Sequence, residues 1–278
     1  MQFHLFQIVF MASTYGMKSL ILSLLLFFVC INSTKADEPD QQLHKKCLYP
    51  CVRIENEGSG GSGVIVRSEK VGEQYRNVVI TCAHVIHPGS PYKARVPLYE
   101  EWSSFEGFED HPCRVYARNE DVDLAVLLFT SDHEMPVAEF GFHDRLFIGS
   151  DIFHIGCGLG PEPRLDYGKV TSLKGFLTNQ FKDGVRTSIN VVPGDSGGPV
   201  YHKYRLVGFI QAIKLFSFRG IPMPVTTISL MIPVERLKTW DAEQNNNLAF
   251  IYKSRRRMPE LPFAVLRLEE CQISKRGE

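Results

Sequence analysis

Apolar residues in this chain come in short runs, broken by glycine, proline and polar residues and almost nowhere set at helical spacing. Residues 78–81, 114–117, 124–129, 152–155, 168–173, 187–191, 199–202 and 206–213 each have the length and patterning of a β-strand. Many short strands with turns between them predict an all-β barrel or sandwich. One helix is expected near 233–241, where Pro233 opens a run with Val234, Leu237 and Trp240 on one face. The stretch Gly58-Ser59-Gly60-Gly61-Ser62-Gly63 has the composition of a linker. It runs straight into Val64-Ile65-Val66, however, so it reads as a glycine-rich turn before the first barrel hairpin.

Upstream lies a different pattern. Lys18 precedes a mostly apolar stretch over 19–31, and small residues lead to Ala36. A basic residue, an apolar core and a small residue at the cut form a secretory signal, here cleaved after Ala36. A membrane-spanning helix needs about 20 apolar residues, so this core is short for one. Residues 1–16 are an unusual opening for a signal; Met17 as the true start and an uncleaved anchor remain the alternatives. Either way the rest of the chain is expected to be exported, periplasmic or extracellular, with membrane contact through this segment if at all.

The composition narrows the function. The 278 residues are 44% hydrophobic, with 31 acidic and 31 basic side chains. That suits one globular unit of one or two domains, and the lack of a basic excess argues against nucleic acid as a partner. There are seven cysteines. Cys30 lies in the apolar stretch without the small residue before it that a lipid-modified cysteine needs. Export permits disulfides among Cys47, Cys51, Cys82, Cys113, Cys157 and Cys271, but the sequence does not pair them. Cys47 and Cys51 are close enough to close a small loop, while Cys82 and Cys157 read as small core residues. Cys47-x3-Cys51, His84-x2-His87 and His111-Pro-Cys113 hint at ligands without forming a four-ligand set. His87, His111 and His154 read as ordinary surface or core histidines, so no metal or other cofactor is expected.

The chemistry concentrates in Gly194-Asp195-Ser196-Gly197-Gly198-Pro199. A serine hydroxyl needs a base, an acid to orient that base, and N–H donors for the developing oxyanion. The glycines let the N–H groups of Gly194 and Ser196 point at one spot. A histidine stands at the end of a predicted strand in Thr81-Cys82-Ala83-His84-Val85, and Asp123 opens the run Leu124-Ala125-Val126-Leu127-Leu128. With these three motifs in the order His, Asp, Ser, the sequence resembles the trypsin/chymotrypsin-like serine proteases. The resemblance implies a His84, Asp123 and Ser196 triad, polypeptide substrates and two six-stranded antiparallel β-barrels with a short helix late in the second. It further implies a first barrel over 37–135, a second over 136–241 and a tail over 242–278.

Within that family the chain is closer to the HtrA-type proteases. Gly61-Ser62-Gly63-Val64-Ile65, Ile155-Gly156-x-Gly158-Leu159-Gly160, Gly168-Lys169-Val170-Thr171-Ser172 and Met231-Ile232-Pro233-Val234 resemble their segments, over roughly 50–240 and least from 86 to 119. Fewer than about 40 residues follow Asp241, short for the PDZ domain those proteases usually carry, so regulation through one is not expected.

Departures from the family matter as much. Val85, not a cysteine, follows the expected catalytic histidine, so the best-known disulfide of the digestive enzymes does not carry over. No activation peptide ending in a basic residue precedes an Ile-Val-Gly-Gly start, yet Asp195 stands where trypsin-type enzymes pair an aspartate with that new terminus. HtrA-type enzymes usually have asparagine there. The resemblance therefore implies a chain that needs no such cleavage, with Asp195 hydrogen-bonded locally by a partner the sequence does not identify.

The position six before the nucleophile, at the base of the family's specificity pocket, is Asn190, and the matching wall contributes Gln211, Ala212 and Ile213. With no carboxylate there, a small or medium apolar residue is expected before the scissile bond. In the tail, the basic run ending in Arg255-Arg256-Arg257 reads as a solvated face, and the apolar stretch 261–268 as a segment that packs on something. Two function classes stand: a serine endopeptidase, and a catalytically silent binding or scaffolding protein on the same fold. The sequence does not give the oligomeric state.

Overall fold

The computed structural model describes residues 40–253 apart from 57–58, 88, 161, 176–183, 219–220 and 246, and gives the backbone alone at 175 and 212–227. The expected leader over 1–36, Cys30, Cys271, the arginines at 255–257 and the apolar stretch 261–268 lie outside the described residues.

Six strands close a first antiparallel barrel: β1 (Cys51–Glu55), β2 (Gly60–Val71), β3 (Gln74–Thr81), β4 (Tyr92–Glu100), β5 (Ser104–Asn119) and β6 (Leu124–Ser131), in the order β1-β2-β3-β6-β5-β4. Six more close a second: β7 (Asp151–Gly156), β8 (Arg164–Gly175), β9 (Gly184–Thr187), β10 (Pro199–His202), β11 (Arg205–Phe218) and β12 (Ile221–Pro233), in the order β10-β11-β12-β9-β8-β7. Closure removes the exposed edges that open sheets must protect. These are the two six-stranded barrels that the family resemblance implies. Short helical turns, α1 (Gln41–Leu43) and a wide turn over His44–Leu48, lead into β1.

The strands form where the apolar runs are. In β6 every residue from Leu124 to Phe129 is buried, with Val126 paired to Ile80 of β3 and Ala117 of β5. One core fills the first barrel and continues through Phe153, Ile155, Tyr201 and Phe209 to Trp240 and Phe250. A second, smaller one lies inside the second barrel around Ile152, Val170, Ile189, Val200, Ile210 and Met231. The interface between the barrels is thus part of the main core.

Three local expectations need correction. Residues 60–63 are not a turn but the start of β2, paired with β1 from Glu55↔Gly60 to Val52↔Gly63. Their glycines serve close approach: a Cβ on Gly61 would lie 2.7 Å from Val85 and 2.9 Å from the Ser196 carbonyl, and one on Gly63 would lie 2.9 Å from Val79. The strand expected over 187–191 ends at Thr187, because the chain then turns toward Ser196. The expected helix is α2 (Glu235–Glu243), beginning after Pro233, which closes β12. It buries Leu237, Trp240 and Asp241.

Cys47, Cys51, Cys82, Cys113 and Cys157 form no disulfide, and all but Cys113 are fully buried. Cys47 and Cys51 therefore do not close the loop that their spacing suggests. Among the described residues no helix is long and apolar enough to cross a membrane.

Trp240 is 1% exposed and caps the main core from α2. Trp240→Ala is expected to cost about 3–5 kcal/mol, since it leaves a large cavity. Urea unfolding followed by far-UV circular dichroism measures that loss.

Candidate active site

The histidine arm is built by the first barrel. β3 ends at Thr81, and a single 3-10 turn, Ala83–Val85, carries His84 outward. Asp123 sits just before β6 with φ +58°, a left-handed conformation that short polar side chains tolerate better than most. The Asn119 side chain accepts from the N–H groups of Asp121 (2.9 Å) and Val122 (3.1 Å), which shapes the approach to Asp123. Asp123 then holds the histidine turn at three points. Its carbonyl accepts from the Ala83 N–H (3.1 Å), Oδ1 from the His84 N–H (3.0 Å), and the carboxylate meets His84 Nδ1 at 2.9 and 3.0 Å. Gln211 Nε2 donates to Asp123 Oδ2 at 3.2 Å. Asp123 is buried while the His84 side chain is 47% exposed, an oriented imidazole at an open surface.

The serine arm comes from the second barrel. Residues 192–198 cross from the end of the β9 segment to β10, and Gly194 (φ +99°) and Gly197 (φ +83°) take conformations that favour glycine. A Cβ on Gly197 would lie 2.3 Å from Thr81 Oγ1 and 2.4 Å from the Ser62 carbonyl. Ser62, fully buried in β2, ties this turn to the first barrel. Its hydroxyl donates to the Gly194 carbonyl (2.7 Å) and accepts from the Cys157 N–H (2.8 Å), and its N–H donates to the Ser196 carbonyl (2.8 Å). Neither the Gly194 nor the Ser196 N–H has a hydrogen-bond partner among the described residues. These are the two donors expected for an oxyanion.

The Ser196 hydroxyl points at the Gln211 carbonyl, 3.5 Å away, and makes no hydrogen bond to His84. The His84–Asp123 half of the expected triad is therefore formed, and the serine half is oriented elsewhere. Catalytic hydrogen bonds are often long or misaligned without substrate.

The expected pocket residues fall in different places. Asn190 is exposed, and its carbonyl accepts from Arg164 Nη2 at 3.3 Å. Gln211 is buried with its amide on Asp123, so it supports the acid instead of lining a pocket wall. Ala212 and Ile213 lie on β11, and their side chains are outside the described residues.

The Asp195 carboxylate, whose partner the sequence does not identify, is buried in a cluster of its own. Oδ2 accepts from the Val192 N–H and from Arg164 Nη2, both at 2.8 Å, and Oδ1 from the Gly158 N–H at 3.0 Å. His154 Nε2 stands 3.5 Å from Oδ1. A Cβ on Gly156 or Gly158 would lie 2.6 or 2.5 Å from Oδ1, so the Gly156-x-Gly158 motif makes room for this carboxylate. Arg164, His154 and Ser62 carry no sequence signal that points to these roles; strand register alone delivers them.

Three donors could reach a metal: Cys82 Sγ, His84 and Asp123 place ligand atoms within 4.8 Å of one another. His84 Nδ1 and Asp123 already satisfy each other, and burial together with the Asp123 charge pushes the Cys82 thiol well up, opposing the thiolate a metal needs. A cleft on the second barrel, lined by Phe142, Leu146, Leu173 and Glu235 among others, includes none of the triad residues.

Burial alone would push the Asp195 carboxyl up. His154, the Val192 N–H and the Arg164 charge outweigh that and hold it below the usual carboxylate range. A carboxyl lowered on folding gives stability that is present above its unfolded value, about 3.9, and lost as pH falls through the folded one. Urea midpoints should therefore drop steeply below about pH 4. The drop should be shallower in Asp195→Asn, which has no carboxyl to titrate at this position.

Residues 61–208 match the trypsin-like peptidase domain family. The serine protease Do-like HtrA of Bacillus subtilis (strain 168) is 30% identical over 170 residues, 58% of this chain and 35% of that protein. The protein of the same description from Lactococcus lactis subsp. cremoris (strain MG1363) is 29% identical over 164 residues, 55% and 37% of the two chains. The probable periplasmic serine endoprotease DegP-like of Marinomonas sp. (strain MWYL1) is 24% identical over 183 residues, 64% and 35%. The chain spans about a third of the length of these relatives. With both barrels, the three motifs and the matched span in agreement, the chain belongs to the trypsin-like peptidase domain family.

Proposed function

We propose that this chain is a serine endopeptidase that cleaves through an acyl-enzyme formed on Ser196. The observation that carries the reading is the buried Asp123 carboxylate on His84 Nδ1, together with a glycine turn whose Gly194 and Ser196 N–H groups have no partner among the described residues. With Nδ1 engaged by Asp123, Nε2 is the nitrogen left to take a proton. To give that nitrogen its proton, the Ser196 hydroxyl must turn away from the Gln211 carbonyl. The oxygen then attacks the peptide carbonyl, and the two N–H groups receive the negative charge that forms. His84 returns its proton to the leaving amine, and water releases the acyl group by the same steps.

Substrate choice follows from what lies beside Asn190. No carboxylate occupies that position, and the nearby Asp195 and Asp166 carboxylates are already paired with Arg164, so none is left to select a basic substrate side chain. Small or medium apolar residues before the scissile bond fit better. Export of the catalytic part rests on the signal-like segment ending at Ala36 and on the similarity to the Marinomonas protein, a probable periplasmic endoprotease.

One observation favours a second reading, a silent binding protein on this fold: Ser196 bonds to Gln211 and not to His84. Incubation with a peptidyl phosphonate and mass spectrometry separates the two, since only a working nucleophile takes up the label at Ser196.

For the endopeptidase, Ser196→Ala should abolish peptide cleavage to the detection limit, and Asp123→Asn should lower kcat by roughly 10⁴. A Ser196→Ala chain as fast as its parent refutes the assignment. In a peptide library, cleavage after alanine-to-leucine-sized residues should exceed cleavage after Lys or Arg by at least about tenfold. A library cut chiefly after Lys or Arg overturns the pocket reading and leaves the triad untouched.

A further inference from the structure

The residue immediately before the nucleophile is an aspartate whose side chain is 1% exposed. A buried carboxylate is costly unless charge and hydrogen bonds compensate it. Two of its four neighbours are backbone N–H groups, from Val192 and Gly158, which carry no net charge. The third is His154. Its Nδ1 lies 2.9 Å from the Pro199 carbonyl, which only an N–H can satisfy, so Nε2 faces Asp195 as a donor only in the imidazolium form. Nε2 has no hydrogen-bond partner at its 3.5 Å separation. The fourth is Arg164, a guanidinium that stays charged at every working pH, at 2.8 Å.

Arg164 does more than neutralise. It opens β8, and its Nη1 meets Asp166 Oδ2 at 2.9 Å on the same strand. Its Nη2 bridges the Asp195 carboxylate and the Asn190 carbonyl, so one side chain joins the barrel wall to both ends of the segment 190–195. Gly194 and Ser196 flank Asp195 in the chain, and their N–H directions depend on where its side chain is held. If the carboxylate left its site for water, the 194–195 peptide would turn with it and the paired donors would separate.

We propose that Arg164 is a positioning residue: through its ion pair with Asp195 it keeps the Gly194 and Ser196 N–H groups aimed at the oxyanion, making the hole permanent within an uncut chain. This rests on the endopeptidase reading. Arg164 touches neither substrate nor the reacting atoms in this role. Its work is to make a buried charge tolerable where the hole needs a fixed side chain. A neutral amide at 195 has no charge to compensate, so the dependence on Arg164 should vanish with the carboxylate.

The test is a cycle of full-length parent, Arg164→Met, Asp195→Asn and the double variant, with kcat and KM on one peptide and inhibition by the matching peptide aldehyde, whose hemiacetal oxygen needs the hole. R164M should lose about 10²–10³ in kcat, the scale of one oxyanion donor, with KM changed far less and aldehyde inhibition weakened in parallel. In the D195N background the same R164M change should alter kcat less than about threefold, within the additivity of independent sites. Equal losses in both backgrounds overturn the proposal, as does R164M with parental kcat. If R164M alone does not fold, D195N against the double variant still decides: matching kcat values support the ion-pair role, and a hundredfold gap contradicts it. A parent that cleaves no peptide and takes no phosphonate refutes the endopeptidase reading instead, so the two failures are distinct.

Discussion

The turn carrying Ser196 is held from both barrels at once, and the rest of the site depends on that double hold. From the first barrel, Ser62 reaches it with a hydroxyl and an N–H, and the Thr81 hydroxyl donates to the Ser62 carbonyl at 2.7 Å, fixing the clasp to the strand that delivers His84. From the second, the Asp195 carboxylate anchors the same turn in the barrel interior. The Ser62 and Thr81 contacts leave no space for a side chain at Gly197. His84 and Ser196, the proposed base and nucleophile, come from separate barrels, yet few bonds separate them, so relative movement of the barrels is resisted there.

The glycines of this chain are best understood through space. Gly61, Gly156, Gly158, Gly197 and Gly198 each lie where an added Cβ would come within 3.0 Å of a neighbouring atom. Of these only Gly197 also has a positive φ. Whereas Gly72, Gly89, Gly107 and Gly149 have positive φ and open space around them, at these five positions conformational freedom is thus a minor reason for glycine. The main one is that two barrels and a buried carboxylate converge on one small volume. The motif Gly156-x-Gly158 gives way to Asp195, and the run at 60–63 gives way to the nucleophile turn and to Val85.

That distinction explains what could be read in advance. β6 and β10 are legible because their apolar runs have the length of a strand and end in polar residues or turns. The histidine, aspartate and serine motifs are legible because they resemble a known family's signatures in that family's order. Trp240 and Leu237 reveal α2 by their spacing. β1 and β4 are silent, since Arg53, Glu55, Lys93 and Arg95 interrupt their apolar residues with ion pairs, Arg53 to Glu55 within β1 and Lys93 and Arg95 to Glu55 across the two strands. Residues 60–63 mislead because a strand stripped of side chains for close packing has the composition of a linker. Gln211 is legible only as a residue of the expected pocket wall, but its amide turns to Asp123, a choice made by three-dimensional contact. Arg164 and Asp195 lie 31 positions apart on different elements, and only the register of β7 with β8, Gly156↔Arg164, brings them together.

The most direct measurement of the central claim is a crystal structure of the chain after reaction with a peptidyl phosphonate. The account predicts phosphorus bonded to Ser196 Oγ, one phosphoryl oxygen within about 2.7–3.1 Å of both the Gly194 and Ser196 nitrogens, and His84 still on Asp123 with its other nitrogen at the adduct. An adduct whose phosphoryl oxygen faces solvent while both N–H groups stay empty, or a label carried by any side chain other than Ser196, contradicts it.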